Sequence, residues 1–185
     1  YTSGSTGRPK GVLIQHSNLI TLLLGFQEVA VPEIKGSGLA VCPYVFDVSV
    51  WELFINLCFG NTLHLLQNDD VFNPTVLTKY FIKHQISTAY IPPTVLSNVA
   101  DTLEFSEAKV NLKRLLVGVM SIKQATLQRL VDIVPELSII NGYGPSETTI
   151  CATFYPFWKV LSPDDNTPIG KPVANTSIYI LDRGQ

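Results

Sequence analysis

The first eleven residues of the chain, YTSGSTGRPKG, combine three glycines, four serine and threonine hydroxyls and two basic side chains. Glycine allows sharp turns and close approach of the backbone to a ligand, while N–H groups and hydroxyls can donate to phosphate oxygens. Lys10 adds a positive charge. This composition predicts a phosphate-binding loop, although not a Walker A loop, because Pro9 lies between Gly7 and Lys10. A flexible linker is the alternative interpretation.

A second segment, FDVSVWE at positions 46–52, follows a predicted strand and opens a predicted helix. The side chains of Asp47, Val48 and Trp51 fall on one side of that helix, near its N-terminus. A carboxylate beside an apolar wall is suited to binding an ammonium group. The alternative is that Asp47 only caps the helix and Trp51 only fills the core.

The third segment, NGYGPSETT at positions 141–149, carries more functional groups than a chain reversal requires. Tyr143 lies between two glycines, so its ring can lie flat against a nucleotide base. Glu147 is a hard oxygen ligand suited to Mg²⁺ beside a triphosphate, and Thr148 could donate to a phosphate oxygen. An ordinary turn with polar side chains is the alternative.

The three histidines, His16, His64 and His84, have neither metal-ligand spacing nor an accompanying acid and nucleophile. Surface or core roles are therefore expected for them. The Gly-x-Ser-x-Gly pattern of serine hydrolases is also absent.

The composition predicts a folded domain, because 46% of the 185 residues are apolar and only 15% are charged. A net charge of −2 offers no extended basic surface, so no nucleic-acid partner is expected. Three widely spaced cysteines favour a reducing compartment, and we expect the cytoplasm. The apolar runs are too short for a membrane helix, so no membrane partner is expected.

Short β-rich runs alternate with amphipathic segments of helical length, which predicts an α/β fold: a largely parallel sheet built from βα units and flanked by helices. Strands are expected at residues 11–15, 38–42, 62–66, 87–91, 114–119, 137–141, 150–155 and 176–181. Helices are expected at residues 17–29, 47–58, 74–84, 94–102 and 123–134, and a loop at 155–168. Ligands of such sheets bind at the carboxyl ends of the strands, so the turns that follow strands should form the site.

Four motifs in order, YTSGSTGRPKG, FDVSVWELF, NGYGPSETT and IGKPVANTSIYILD, resemble the amino-acid adenylation domains of nonribosomal peptide synthetases. The likeness spans the whole chain. The first motif is shared by the wider acyl-adenylate-forming superfamily of AMP-dependent synthetases and ligases, whereas FDVSVWE is more particular to the peptide-synthetase branch. The resemblance implies ATP-dependent activation of an amino acid as aminoacyl-AMP with release of pyrophosphate. The acyl group would then pass to the phosphopantetheine thiol of a carrier-protein domain.

The resemblance also implies roles for individual residues. Catalytic roles fall to Thr6, Lys10, Glu147 and Thr148, with Glu147 as the Mg²⁺ ligand. The ATP-binding residues would be Thr2, Ser3, Gly4, Ser5, Thr6, Gly7, Lys10, Gly118, Val119, Asn141, Gly142, Tyr143, Gly144 and Thr148. The amino-acid pocket would be formed by Asp47, Val48, Trp51, Tyr90, Leu116, Gly118, Gly142, Ile150 and Cys151.

In that pocket Asp47 would pair with the substrate α-ammonium and supply the only charge. A charged substrate side chain would be buried without a partner, at a cost of several kcal/mol. Because Gly118 and Gly142 are expected to leave volume, the predicted substrate is a neutral, medium or large amino acid, leucine-like or aromatic.

Two departures from the family pattern bear on these expectations. The family usually has Gly-Gly-Glu where this chain has Gly118-Val119-Met120, which puts a branched side chain at the adenine. The family's ribose-binding aspartate and the lysine of its C-terminal lid would both fall beyond Gln185. Residues 1–185 are therefore interpreted as the central part of one adenylation domain, inactive in isolation. An acyl-CoA or aryl-acid ligase and a degenerate nucleotide-binding domain are the alternatives.

Overall fold

A computed structural model describes residues 1–2, 7–33, 35–66, 71–106 and 108–182, and within these ranges the chain forms one seven-stranded sheet with helices packed against it. The strands are β1 Ser37–Ala40, β2 Thr62–Leu65, β3 Thr88–Tyr90, β4 Arg114–Gly118, β5 Ser138–Tyr143, β6 Thr153–Phe157 and β7 Lys171–Pro172. The helices are α1 His16–Val29, α2 Val48–Leu57, α3 Pro74–Lys83, α4 Pro93–Glu104 and α5 Gln124–Ile133.

The strand order is β2-β1-β3-β4-β5-β6-β7, with β1 to β5 parallel and β6 and β7 antiparallel. The crossover from β1 to β2 runs in one direction along the sheet, and the next three crossovers run in the other. Because such crossovers are right-handed, α2 lies on one face and α3, α4 and α5 on the opposite face. The helix contacts agree, since α1 packs on α2, and α4 packs on both α3 and α5.

The change of direction makes the boundary between β1 and β3 a topological switch point, where sheets of this kind open a crevice at the carboxyl ends of their strands. The register aligns the strand ends there: Tyr90 pairs with Leu116, Leu116 with Ile140, and Gly118 with Gly142. The carboxyl ends of β3, β4 and β5 therefore lie at the same edge of the sheet, with β4 extending two residues beyond the partner of Tyr90.

Aromatic side chains join α1 and α2 to the sheet. Trp51, in α2, is 1% exposed and meets the ring of Phe26, in α1, edge-on at a centroid distance of 4.9 Å. Phe26 in turn meets Phe154, in β6, at 5.9 Å. Edge-to-face pairs at such distances add to the stabilisation that burial provides.

At the amino ends of β3 and β4, a buried ion pair joins Arg114 to Glu33, with 2.9 Å between the guanidinium Nη2 and the carboxylate Oε2. The Thr88 hydroxyl donates to the same carboxylate oxygen at 2.6 Å and accepts from Nε of Arg114 at 2.9 Å. A second guanidinium nitrogen donates to Oε1 of Gln27 at 3.1 Å. Water does not reach this arginine, and among the described residues its Nη2 has the ion-pair contact but no partner of hydrogen-bond geometry.

The predicted α/β architecture is confirmed, with the expected helices within a few residues of their observed bounds. Two predicted strands are wrong. Residues 11–15 and 176–181 each contain a short run of β-branched and other apolar residues, but they form no strand pairing in the described ranges. Leu13 and Ile180 are each 99% exposed, as expected for strand-like sequence without a neighbouring strand to cover it.

The predicted strand at 150–155 begins three residues later, at Thr153, and extends to Phe157. Its start is displaced because Thr149 and Ile150 adopt left-handed backbone conformations, with φ of 64° and 69°. That geometry is incompatible with an extended strand. In the described part of the chain, no helix has the length and apolar character that crossing a membrane requires.

Candidate functional site

The turn after β1 brings Asp47 to the carboxyl edge of the sheet, and a carboxylate inside α2 fixes that turn. Glu52 is fully buried, and its two oxygens accept hydrogen bonds from the backbone N–H groups of Val41 and Cys42 at 3.0 and 2.9 Å. Both N–H groups lie just beyond β1, where the parallel ladder no longer pairs them. The side chain therefore substitutes for a neighbouring strand and sets the path of the chain toward Asp47.

Burial dominates the electrostatics of this turn. Desolvation raises the pKa of Glu52 to about 7, and the hydrogen bonds from Val41, then Cys42, oppose it. Desolvation also raises the pKa of the Cys42 thiol well above its ordinary value, and the charges of Glu52 and Asp47 act in the same direction. Cys42 is thus a protonated, unreactive thiol at neutral pH.

Asp47 immediately precedes α2, but its side chain does not cap the helix. Its backbone is already helical, with φ of −62° and ψ of −27°, and the first helical amides are served by main-chain carbonyls. Ser49 N–H donates to Phe46 O, and Val50 N–H donates to Asp47 O, both at 3.0 Å. The Asp47 carboxylate instead accepts a hydrogen bond from the Ser146 hydroxyl, on a residue 99 positions later in the chain.

A cavity of about 210 Å³ lies at this edge of the sheet, between the strand ends and the turns that follow them. Among its lining residues Asp47 is the one with a formal charge. The lining residues are Phe46, Asp47, Val48, Tyr90, Leu116, Val117, Gly118, Val119, Gly142, Gly144, Pro145, Ser146, Ile150 and Cys151. Eight of the nine residues expected to form an amino-acid pocket are thereby brought together.

Trp51 is the ninth, and it does not line this cavity. Its ring lies in the core against Phe26, one turn below Asp47 on the same helix. Its indole N–H is buried without a hydrogen-bond partner among the described residues. Trp51 is therefore a core residue of α2 and not part of the cavity lining.

The two pocket glycines are required by packing within the sheet. A Cβ on Gly118 would lie 2.0 Å from the carbonyl oxygen of Gly142, and φ of Gly118 is 140°. A Cβ on Gly142 would lie 2.6 Å from Sγ of Cys151 and 3.2 Å from Cδ1 of Leu116. The space beside both glycines is thus already filled, and the expectation that they enlarge the cavity is wrong.

Three β-branched residues around the cavity hold left-handed backbone conformations: Val119 with φ of 72°, and the consecutive pair Thr149 and Ile150. The turn at Ile150 is closed by Cys151 N–H, which donates to Thr149 O at 2.8 Å. Left-handed backbone is unfavourable for branched side chains, and such strain is concentrated at functional sites.

The turn after β5 carries the residues expected at the nucleotide. Asn141 is buried, and its side-chain NH₂ donates to Pro168 O at 2.8 Å, while its Oδ1 has no partner among the described residues. Tyr143 presents a ring that is 51% exposed. Glu147 and Thr148 lie exposed on the 3-10 turn Ser146–Thr148, where the Thr148 hydroxyl donates to Pro145 O at 2.9 Å.

The two ends of the N-terminal glycine-rich segment pair with each other. Thr2 and Lys10 exchange backbone hydrogen bonds of 2.9 Å in both directions, so these two residues lie side by side. Gly7 and Lys10 are exposed. The expected phosphate contacts of Ser3, Gly4, Ser5 and Thr6 lie outside the described residues.

A wider cleft of about 890 Å³ adjoins the cavity and reaches the N-terminal segment. Phe46, Asp47, Ser146 and Ile150 line both spaces and form the rim between them. Phe46 and Ser146 were not among the residues expected to form the site. Each occurs within one of the quoted motifs and neighbours an expected residue, which is the signal that could have identified it.

Two of the three histidines lie away from the cavity: the rings of His64, in β2, and His84, at the end of α3, contact each other at a centroid distance of 4.6 Å with a tilt of 45°. His16 lines the wider cleft. Across the described ranges, no three His, Cys, Asp or Glu side chains form a group able to hold a metal ion. A metal would therefore need ligands supplied by a substrate in addition to a side chain such as Glu147.

Comparison with known proteins identifies the family and several relatives of this chain. The full chain, residues 1–185, matches the family model described as AMP-binding enzyme. Malpinin synthetase of Mortierella alpina is 33% identical over 98% of this chain and 2% of its own length. Tyrocidine synthase 1 of Brevibacillus parabrevis is 33% identical over 98% of this chain and 16% of its own length. The chain thus spans a small part of these curated relatives.

Solved structures show the same fold. A variant of the nonribosomal peptide synthetase FmoA3 superposes with a TM-score of 0.86 at 25% identity, over 95% of this chain and 19% of that one. The adenylation domain AlmE of Vibrio cholerae, in complex with glycyl-adenosine-5'-phosphate, superposes with a TM-score of 0.80 at 23% identity. That match covers 93% of this chain and 32% of AlmE.

Proposed function

The chain belongs to the AMP-binding enzyme family, and from this membership we propose that it is the central part of an amino-acid adenylation domain of a nonribosomal peptide synthetase. The full-length protein would join an amino acid to ATP, giving aminoacyl-AMP and pyrophosphate. It would then transfer the aminoacyl group to the phosphopantetheine thiol of a carrier-protein domain. The names of the relatives support this proposal, as does the complex of AlmE with an aminoacyl-adenylate.

The observation that carries the proposal is the single carboxylate of Asp47 in an otherwise uncharged cavity at the switch point of the sheet. A substrate with an ammonium group compensates that charge, and a charge-assisted hydrogen bond orients it. An acyl-CoA or aryl-acid ligase acts on substrates without an amino group, for which a carboxylate in the acyl pocket has no partner. Asp47 therefore favours an amino acid over those alternatives.

We place the adenine of ATP at the turn after β5, which offers suitable groups. The unpaired Oδ1 of Asn141 is a buried acceptor, and its orientation is fixed because the NH₂ of the same side chain is held by Pro168 O. A buried acceptor without a donor is unfavourable, and the exocyclic amino group of adenine would supply that donor. The exposed ring of Tyr143 offers a stacking surface, with Gly118 and Val119 on the neighbouring strand end.

The phosphates would lie between the turn at residues 146–148 and the N-terminal loop. Glu147 is one exposed carboxylate, which suits Mg²⁺ held by a single carboxylate and substrate phosphates. When bound, Mg²⁺ would neutralise charge on the triphosphate. Lys10, beside Thr2, and Thr148 would add a cation and a hydroxyl.

In this reaction an oxygen of the substrate carboxylate attacks the α-phosphorus of ATP. The new O–P bond forms as the bond from the α-phosphorus to the bridging oxygen breaks, and pyrophosphate leaves with that electron pair. No nucleophile from the protein is needed. The chain's own residues bind and orient the two substrates and stabilise negative charge on the phosphates.

The proposed substrate is a neutral amino acid with a leucine-like or aromatic side chain. A cavity of about 150 Å³ is enough for benzene in another protein. The cavity here, about 210 Å³ and bounded by Val48, Leu116 and Ile150, can hold a side chain of either kind.

A degenerate domain that binds nucleotide without turnover is the second candidate, favoured by the strained Val119 beside the adenine position. Pyrophosphate–ATP exchange by the full-length protein tests both, using a panel of amino acids, their des-amino analogues, and no substrate. Exchange that depends on a neutral amino acid supports adenylation. Nucleotide binding without exchange on any substrate supports the degenerate domain, and preference for aryl or fatty acids supports the other ligases.

We also propose a cytoplasmic location, in keeping with the three free cysteines.

A further inference from the structure

Glu52 is a buried carboxylate that the proposed reaction does not use. It lies in the second turn of α2, and water does not reach it. In the part of the chain that the structure describes, no Lys, Arg or His side chain forms an ion pair with it. Each oxygen is held by one backbone N–H group, Val41 on Oε1 and Cys42 on Oε2. A buried carboxylate without a cation is costly, and such groups are concentrated at functional sites.

The hydrogen bonds of Glu52 close a ring of chain around the turn that carries Asp47. From Cys42 the chain runs through the turn to Asp47, enters α2 and reaches Glu52, which binds back to Cys42. Inside the ring, Phe46 N–H donates to Pro43 O at 2.9 Å. The position of Asp47 relative to β1 therefore depends on the bonds that Glu52 accepts.

Glu52 lies directly behind the wall of the cavity. Tyr90 lines the cavity, whereas Glu52 does not. Burial raises the pKa of the Tyr90 phenol, and the charges of Cys42 and Glu52 act in the same direction, as expected for neighbouring groups. Glu52 can thus act on the cavity only through the residues that it binds.

The two hydrogen bonds require the ionised form of Glu52. Val41 and Cys42 each present an N–H donor, so each carboxylate oxygen must accept. A protonated carboxyl group carries a hydrogen on one oxygen, and the amide of a glutamine carries hydrogens on its nitrogen. In either case one backbone donor faces another donor, and one bond of the ring is lost.

We propose that ionised Glu52 is a positioning residue for the amino-acid site: its two hydrogen bonds hold the turn after β1 in the conformation that places Asp47 at the α-ammonium of the substrate. This proposal rests on the amino-acid adenylation proposed above. Glu52 acts through the turn and does not contact the substrate. Loss of its negative charge should therefore weaken amino-acid binding.

Protonation of Glu52 falls within a pH range that can be tested. Desolvation raises its pKa to about 7, and the bonds from Val41 and Cys42 oppose that rise. The Cys42 thiol and the Tyr90 phenol are the titratable groups nearest to it on neighbouring elements. Burial raises the pKa of both, so both stay protonated in the same range.

Other titratable groups lie on or beside the elements that pack against α2. Asp47 precedes α2 itself, α1 carries His16 and Glu28, and β2 carries His64. Within the described ranges neither histidine forms an ion pair with Glu52. The variant Glu52→Gln keeps all four groups, so any pH dependence that remains in it measures their contribution.

The test measures pyrophosphate–ATP exchange by the full-length protein at saturating ATP, as a function of amino-acid concentration and pH. For the unaltered protein we expect an amino-acid KM about fivefold higher at about pH 6 than at about pH 8. Glu52→Gln should raise the KM at the higher pH about tenfold, the scale of one hydrogen bond to a charged group, and should show little pH dependence. Glu28→Gln, at an exposed position of α1, is the matched control and should behave as the unaltered protein.

A stability measurement separates positioning from a general structural role. The ionised form favours amino-acid binding, whereas burial makes the protonated form the more stable one in the folded protein. Raising the pH across this range should therefore lower the amino-acid KM while it lowers the free energy of unfolding. A KM that rises as stability falls would overturn the proposal, as would a pH-independent KM in the unaltered protein.

If Glu52→Gln does not fold, Cys42→Ala provides the second variant. The hydrogen bond from the Cys42 thiol lowers the pKa of Glu52, so its removal should shift the midpoint of the KM profile to higher pH. An unshifted midpoint would overturn the proposal. Absence of amino-acid-dependent exchange in the unaltered protein overturns the proposed function and this role with it. Normal exchange with a pH-independent KM overturns only the role of Glu52.

Discussion

A Cβ atom on Gly118 would lie 2.0 Å from the carbonyl oxygen of Gly142, its partner on the adjacent parallel strand. The obstacle is backbone, which cannot move without disrupting the end of the sheet. We expect Gly118→Ala to destabilise the fold by more than about 3 kcal/mol, because the left-handed φ adds strain to the overlap. Chemical unfolding of the variant protein measures this, and a loss below about 1 kcal/mol would contradict it.

Gly142→Ala should behave differently, because its nearest obstacle is the Sγ atom of Cys151. We expect a loss of about 1 to 3 kcal/mol, typical of overpacking, and partial recovery in the double variant Gly142→Ala, Cys151→Ala. The same Cys151→Ala change should not rescue Gly118→Ala, so the double variant Gly118→Ala, Cys151→Ala is the matched control. Equal rescue of both glycine variants would show that these two overlaps are not the cause of the stability losses.

Asp47→Ala should remove the preference for a substrate with an amino group. We expect exchange at low amino-acid concentration to fall about 10- to 100-fold, the effect of one lost charge-assisted hydrogen bond, while exchange with the des-amino analogue changes little. Asp47→Asn keeps the shape and removes the charge, so it should show most of the same loss. A variant that still discriminates the two substrates as the unaltered protein does would exclude Asp47 as the ammonium partner.

Glu147→Gln tests the proposed metal ligand without disturbing the fold, because the side chain is exposed. We expect exchange to fall on the order of 100-fold at limiting Mg²⁺ and to recover partly at high Mg²⁺, while the Tm is unchanged. Glu136→Gln, on an exposed position after α5, is the charge-matched control. Identical Mg²⁺ dependence in the two variants would rule out a metal role for Glu147.

Glu52 should make the stability depend on pH. Its folded-state pKa, about 7, lies above the ordinary value of 4.5, so the folded protein holds a proton that the unfolded chain has lost between these values. The free energy of unfolding contributed by this group is therefore largest below pH 4.5, falls as the pH rises toward 7, and changes little above. Urea unfolding at pH 5 and pH 8 should show this fall, and Glu52→Gln should lack it. An equal pH dependence in both proteins would contradict the assignment.

Val119→Gly should relieve strain at the strand end beside the proposed adenine site, since glycine adopts a φ of 72° without clash. We expect unfolding free energy to rise by about 1 kcal/mol or less and ATP affinity to increase. Met120→Ala, at the next exposed position, should leave both unchanged. Weaker ATP binding by Val119→Gly would mean that the valine side chain itself contacts the nucleotide.

Periodicity and turn residues predicted most of the fold, because they are local signals. The helices from Pro74 and Pro93 and the strands ending at Tyr90 and Gly118 were found within a few residues. The strands expected at 11–15 and 176–181 are wrong, because a short apolar run forms a strand only where a partner strand pairs with it.

The site was predictable as a set of motifs but not as a geometry. The resemblance to adenylation domains implied one pocket that includes Asp47, Tyr90 and Gly142, and these three residues line one cavity. Two relationships depend on tertiary structure alone. The bond from Ser146 to Asp47 joins residues 99 positions apart, and the crowding at Gly142 comes from a side chain on another segment.

The buried ion pair of Arg114 and Glu33 lies at the opposite end of the strands from the cavity. It nevertheless fixes the register of the strands that form the cavity. Only one residue separates Thr88, which bonds to both charged groups, from Tyr90 at the cavity, and β4 reaches Gly118 four residues after Arg114. Side chains alternate between faces along a strand, so a slip of one residue would turn Tyr90 to the wrong face. A register shift would also separate a buried charge from its partner, which costs about 3 to 5 kcal/mol. The ion pair thus penalises every register but the one in which the pocket exists.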